Sequence, residues 1–131
     1  MGDNRPNLQQ VDVLFNHEIF KVLSQPIRIE ILKVLAVGGP SDIQTIAENF
    51  SKDRSVISKH LKQMYEAGLL IKTKESRNII YQVDGMEFLH KLEDVVDQLK
   101  SVLAFSCEDL FETLYQDKMS YKEYLEGHTS K

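Results

Sequence analysis

Arg54, Ser55, Ser58, Lys59 and Lys62 fall within a short stretch of chain at spacings that bring them onto one side of a helix, because helical neighbours stand three and four residues apart. The chemistry such a face offers is recognition of a polyanion. A guanidinium reads guanine in bidentate fashion, hydroxyls adapt to several bases, and ammonium groups hold phosphate. Backbone N–H groups at the start of the same helix also favour phosphate. Catalysis finds no support: the serines and His60 of this segment carry no oriented acid and lie on different faces. His60 reads as a packed, hydrogen-bonded histidine rather than a ligand.

The other side of the segment explains how the cationic face would be held. Ile57, Leu61 and Met64 follow one another at i, i+4 and i+7, an inward stripe flanked by Val56, His60 and Tyr65. Asp53 is a good N-cap and Gly68 a left-handed stop, which predicts a helix over residues 53–67. Before it, Ser41 and Gln44 form a capping-box pair opening a helix with Ile43, Ile46, Ala47 and Phe50 on its buried stripe. Ser51 and Lys52 make the turn between the two. After it, Leu69–Glu75 and Ile79–Val83 are β-branched stretches around the polar tip Glu75-Ser76-Arg77-Asn78, a hairpin wing over 69–83. Lys72, Lys74 and Arg77 reach phosphate or a minor groove from that wing. Upstream, residues 8 to 23 carry Val11, Leu14, Phe15, Ile19, Val22 and Leu23 at helical spacing, one helix of about four turns. A second helix opens at Pro26, buries Ile27, Ile31, Val34 and Leu35, and stops at Gly38-Gly39-Pro40. The expected fold is mainly α with a small β-hairpin wing: a winged helix-turn-helix of four helices, two strands and a fifth helix, plus a C-terminal helical extension. In domain terms, residues 1–10 form a flexible N-terminus, 11–105 the DNA-binding and dimerisation domain, and 106–131 the extension with a frayed tail.

Composition bounds the rest. The chain has 131 residues, 42% hydrophobic and 27% charged, ordinary values for one globular domain. The net charge of −4 argues against nucleic acid until its distribution is considered. Residues 52–77 hold seven bases against three acids, whereas 84–131 hold eleven acids and five bases. A basic segment in an acidic chain orients a polyanion onto one face. No apolar run is long enough to span a membrane, the start MGDNRPNLQQ lacks a secretory core, and the one cysteine, Cys107, cannot form an internal disulfide. The expected compartment is the cytoplasm.

With those residues in view, the chain resembles the ArsR/SmtB-type (arsenical-resistance regulator) repressors, prokaryotic winged-helix metal and stress sensors, over roughly residues 16–103. SQPIRIEIL resembles the family's helix-opening segment. IAENFSKDRSVISKHLKQMYEAGLLIKTKESRNIIYQV is similar to its DNA-binding unit, down to the V-I-S-x-H-L run, the E-A-G-L corner and the tyrosine ending the wing. The resemblance implies base-reading or groove-lining roles for Arg54, Ser55, Ser58 and Lys59. It implies phosphate contacts for Lys62 and Arg77 and backbone contacts for Ser41 and Gln44, with Arg28 structural, as an ion-pair partner. Ser51 and Lys52 depart from the family's usual Gly-Leu and leave that turn without an apolar anchor. The family's Cys-x-Cys metal pair corresponds here to Asp42 and Gln44. Its second site has Met86 and Asp97 at histidine positions, so neither metal site nor any cofactor is expected.

A heptad-like seam, Leu89, Leu92, Val96, Leu99 and Leu103, predicts a homodimer, and the family pairs this helix with the first, adding Val11, Leu14 and Phe15. The expected function is a homodimeric repressor reading a near-palindromic operator, with helix 53–67 in the major groove and the wing on the flanking groove. Double-stranded DNA and a second copy are the expected partners, with no membrane. An unknown small-molecule or redox effector stays open: aromatics such as Phe105, Phe111 and Tyr115 could line a pocket, and Cys107 could pair between subunits or with a small thiol. A winged helix used purely as a protein-protein interaction module is the competing class.

Overall fold

In the computed structural model, which describes Arg5 and residues 7–106, the elements run α1 (Leu8–Phe15), α2 (Glu18–Val22), α3 (Pro26–Gly38), β1 (Ser41–Asp42), α4 (Ile43–Ala47), α5 (Arg54–Glu66), β2 (Leu70–Glu75), β3 (Asn78–Val83) and α6 (Gly85–Ser106). Residues Asn16–Asp94 make one compact unit, and among the described residues those up to Phe15 and those from Val95 to Ser106 belong to another. Of the expected extension over 106–131, Ser106 ends α6 instead, and residues 107–131, including Cys107, Phe111 and Tyr115, lie outside the described residues. Among the described residues no helix is long and apolar enough to cross a membrane.

Most expected elements form for the local reasons read from the sequence. Pro26 occupies the first turn of α3, and Gly39 ends it at φ 75° with its N–H on the Leu35 carbonyl, 2.8 Å away. Two corrections come from side-chain caps. The single helix expected over 8–23 is two: His17 takes an extended conformation and its Nδ1 accepts the Ile19 N–H at 3.2 Å, starting α2 afresh. A cap of this kind interrupts the ladder without disturbing apolar spacing, so periodicity alone misses it. Asn7 and Gln10 bond reciprocally, the Gln10 N–H to Asn7 Oδ1 at 2.9 Å and the Asn7 N–H to Gln10 Oε1 at 3.0 Å, a capping box for α1. The second correction concerns α4. Asp42, not the Ser41–Gln44 pair, caps it, with Oδ1 accepting from the Thr45 N–H at 2.8 Å.

Ser41 is instead committed to a third strand. β1 pairs antiparallel with β3, Ser41 opposite Tyr81 and Asp42 opposite Ile80, giving the sheet order β1-β3-β2. The wing keeps the expected register, from Leu70 opposite Val83 to Glu75 opposite Asn78. Its two-residue tip holds Ser76 at φ 54°, a left-handed conformation costing a non-glycine residue roughly 1–2 kcal/mol.

The core of the Asn16–Asp94 unit gathers Ile31 of α3, Ile46 of α4, the α5 stripe Ile57, Leu61 and Met64, and Leu69, all essentially inaccessible to solvent. α5 closes with a complete Schellman motif: the Gly68 N–H reaches Tyr65 O at 2.9 Å and the Leu69 N–H reaches Met64 O at 3.0 Å, with Gly68 at φ 82°. That left-handed glycine turns the chain out of α5 and delivers Leu69 to the core and Leu70 to the wing.

Candidate nucleic-acid interface

α5 presents the face expected of it. Arg54, Ser55, Ser58, Lys59 and Lys62 are all exposed, while Ile57, Leu61 and Met64 hold the helix from behind. Asp53 is extended at the start of α5 but makes no side-chain cap, so N–H groups of the first turn are left for an external acceptor. Arg54, Ser55 and Ser58 share a cleft of about 480 Å³ with Gln44 of α4 and Arg77 of the wing tip. The helix and the wing therefore contribute guanidinium groups to one concavity.

Asp42 lines this cleft too, a placement that its position in the sequence does not reveal. Its carboxyl is held below the usual carboxylate range first by the Thr45 backbone N–H, then by the Thr45 side chain and by the charge of Arg54. An acid placed before a helix signals an N-cap, but not that it faces an arginine. Of the other expected contacts, Gln44 is exposed beside Arg54, whereas the Ser41 hydroxyl donates to Gly39 O at 2.9 Å and Ser41 lines a separate groove with Val37 and Asn49. Lys72, Lys74 and Arg77 are exposed on the wing. The Lys72 ammonium rests 4.6 Å from the Tyr65 ring centroid, a cation–π contact that ties the wing to α5.

Arg28 is structural, as expected, but among the described residues it forms no ion pair. It is 5% exposed, and its donors go to neutral acceptors: Nη1 to Val22 O at 3.1 Å, Nε to His60 Nδ1 at 3.2 Å, and Nη2 to Gln63 Oε1. Burial lowers the His60 imidazole pKa, and the charges of Arg28, Lys59 and Lys52 lower it further.

Along α6, Leu89, Leu92, Val96 and Leu99 are exposed in the single chain, as are Phe15, Leu8, Val13 and Met86, while Val11 and Leu103 are half-buried. Leu14 is 2% exposed within the single chain. Among the described residues no three His, Cys, Asp or Glu side chains stand close enough together to hold a metal ion.

The chain is similar to known proteins in this region. The model of the family described as bacterial regulatory protein, arsR family, matches residues 25–72. An uncharacterized HTH-type transcriptional regulator of Methanocaldococcus jannaschii is 35% identical over 83 residues, covering 63% of this chain and 91% of the relative. Another from the same organism is 30% identical over 77 residues, covering 58% of this chain, and the match spans only 19% of that longer protein. Among solved structures, an ArsR-like transcriptional regulator from Rhodococcus sp. RHA1 is 26% identical with TM-score 0.54, covering 77% of this chain and 87% of that one. An ArsR family transcriptional regulator at 22% identity and TM-score 0.56, covering 66% and 93%, shares the fold.

Proposed function

The chain belongs to the ArsR family of winged helix-turn-helix transcriptional regulators, which are not enzymes, and from that premise we propose that it is a homodimeric repressor of a near-palindromic operator. The observation that carries this reading is the shared cleft, where Arg54 at the start of α5 and Arg77 at the wing tip flank one opening on an exposed cationic face. In this reading α5 enters the major groove with Arg54, Ser55, Ser58 and Lys59 toward base edges. Lys62, Lys72, Lys74 and Arg77 meet phosphates or the flanking groove, and Gln44 adds a backbone contact. The Ser41 hydroxyl, bonded to Gly39, has a smaller part. The family metal positions carry Asp42 and Gln44, and the Asp42 carboxylate is engaged in capping, which supports a regulator without that metal site. Any effector would have to bind two dimer geometries with different affinity.

Duplex binding and its salt dependence test the DNA role. Each neutralised phosphate contributes about −0.9 to the slope of log K against log salt, so binding falls steeply with salt. Lys62→Ala weakens binding to every sequence and flattens that slope by about one. Absence of duplex binding even at low salt would instead support a protein-protein module. The dimer reading is supported by the exposed apolar stripe Leu89, Leu92, Val96 and Leu99 along α6, a spacing suited to a seam between two copies. Two subunits would set two α5 helices about 34 Å apart, one turn of DNA. Light scattering at micromolar concentration is expected to return twice the chain mass; a monomeric mass refutes this part.

A further inference from the structure

Arg28 is the one charged side chain buried in the core among the described residues, and its acceptors are a carbonyl, an imidazole and an amide rather than a carboxylate. Among the described residues no carboxylate pairs with it, and a buried cation held by neutral acceptors is tolerated only when its donors are well satisfied. Two of the three acceptors, His60 and Gln63, are on α5, one helical turn apart. They occupy a side of that helix turned away from Arg54, Ser58 and Lys62. The third, Val22 O, ends α2. The guanidinium therefore links α3, α2 and two successive levels of α5. Two anchors on one helix resist roll as well as tilt, and roll is what matters for reading bases. Side-chain tips lie ~5–6 Å from a helix axis, so a roll of ~10° shifts them by about 1 Å, enough to spoil a bidentate contact.

We propose that the Arg28–His60–Gln63 contact is a latch that positions α5 for sequence-specific DNA reading, and that it closes only when the His60 imidazole is neutral, so that specific binding weakens on acidification. The proposal rests on the DNA-reading role of α5 given above. The chemistry is direct. Nδ1 accepts from Arg28 Nε at 3.2 Å only while it carries no proton. Protonated, it becomes a donor facing a donor, and two cations then stand side by side. The charged groups around His60 are Arg28 from α3, Lys59 on α5 itself and Lys52 from the turn before it. All are positive, so nothing in that set offsets an added proton.

The sign of the effect separates this latch from simple electrostatics. Because the folded-state value of His60 lies below the unfolded one, the group's contribution to stability is present above the unfolded value of about 6.5 and is lost as pH falls through the folded value. Specific recognition follows the same direction. Added positive charge by itself does the opposite, strengthening attraction to any duplex.

The test uses the full chain, a duplex selected from a random pool at pH 7.5, and a scrambled duplex of the same length, at fixed ionic strength from pH 7.5 to 5.5. Circular dichroism at each pH keeps the comparison within the folded range. The ratio of selected to scrambled affinity is expected to fall severalfold in the unaltered protein, less than the roughly tenfold limit that an unperturbed imidazole would set over this range. In His60→Asn, whose amide oxygen accepts from Arg28 but does not titrate, the ratio stays within about twofold. If the two proteins share one pH profile, flat or falling, the latch is refuted. Should His60→Asn fail to fold, Gln63→Leu removes the other anchor without touching the imidazole: a several-fold lower ratio already at pH 7.5 supports the latch, and an unchanged ratio overturns it. Binding to neither duplex at any pH overturns the DNA-reading role itself and the latch with it, an outcome distinct from a ratio that ignores pH.

Discussion

Leu61→Ala is expected to cost about 2–5 kcal/mol of folding stability, a large part of the roughly 5–15 kcal/mol that holds a domain of this size together. Leu61 is fully inaccessible to solvent, with Ile57 and Met64 of the same helix also buried. Truncation removes buried methyl groups and leaves a cavity that the neighbouring rigid elements fill only in part. One residue further on, Lys62 is exposed, and Lys62→Ala changes stability by no more than about 0.5 kcal/mol. Urea unfolding of the two variants at equal protein concentration, which matters where folding is coupled to association, checks the contrast. A loss below about 1 kcal/mol for Leu61→Ala would mean that the inner face of α5 does not pack as described. Because that face holds the cationic one in place, Leu61→Ala is also expected to reduce DNA binding without removing any group that touches DNA. Adding an osmolyte that favours the folded state should restore that loss, whereas it cannot restore a missing base contact.

That contrast between adjacent residues was legible in the sequence because it depends on local periodicity. The i, i+4, i+7 stripe of α5, the proline opening α3, the glycine closing α5 and the β-branched wing are each set by residues within a turn or two of one another, and each formed. What escaped depends on a single side chain or on distant pairing. The break between α1 and α2 is made by the His17 imidazole, in a segment whose apolar spacing runs on unbroken. β1 has two residues, too few to show a period of two, and exists because Ser41 and Asp42 meet Tyr81 and Ile80 from far along the chain. The ion-pair expectation for Arg28 rests on the family resemblance. Its partners His60 and Gln63 lie 32 and 35 residues away and are neutral. Leu14 and Phe15, adjacent in one apolar run, were given the same role, yet one is 2% and the other 64% exposed. The candidate site divides in the same way. The cationic face of α5 follows from helical spacing, whereas the cleft joining it to Arg77 and Asp42 requires the wing and β1 to fold back beside it.

Arg54→Ala is expected to lower affinity for the selected site by about 1–3 kcal/mol and to relax preference at one base pair, while binding to scrambled duplex falls far less. Arg54 is the natural residue for this role. It stands at the first position of α5, is exposed, and opens into the cleft shared with Ser55, Ser58 and Arg77. The Asp42 carboxylate lines the same cleft, and its pKa is lowered chiefly by the Thr45 N–H and in smaller part by the charge of Arg54. Arg54→Lys separates charge from shape. It keeps the positive charge and so the salt slope, but loses the planar two-pronged donor that matches guanine. The lysine variant is therefore expected to resemble the alanine variant in base preference and the unaltered protein in salt dependence. Affinities for the selected duplex and its single-base-pair variants, measured at two salt concentrations, resolve both. Should Arg54→Ala bind the selected site as tightly as the unaltered chain, Arg54 is not a base-reading residue, and sequence preference would have to come from the serines and Lys59 further along α5 or from the wing.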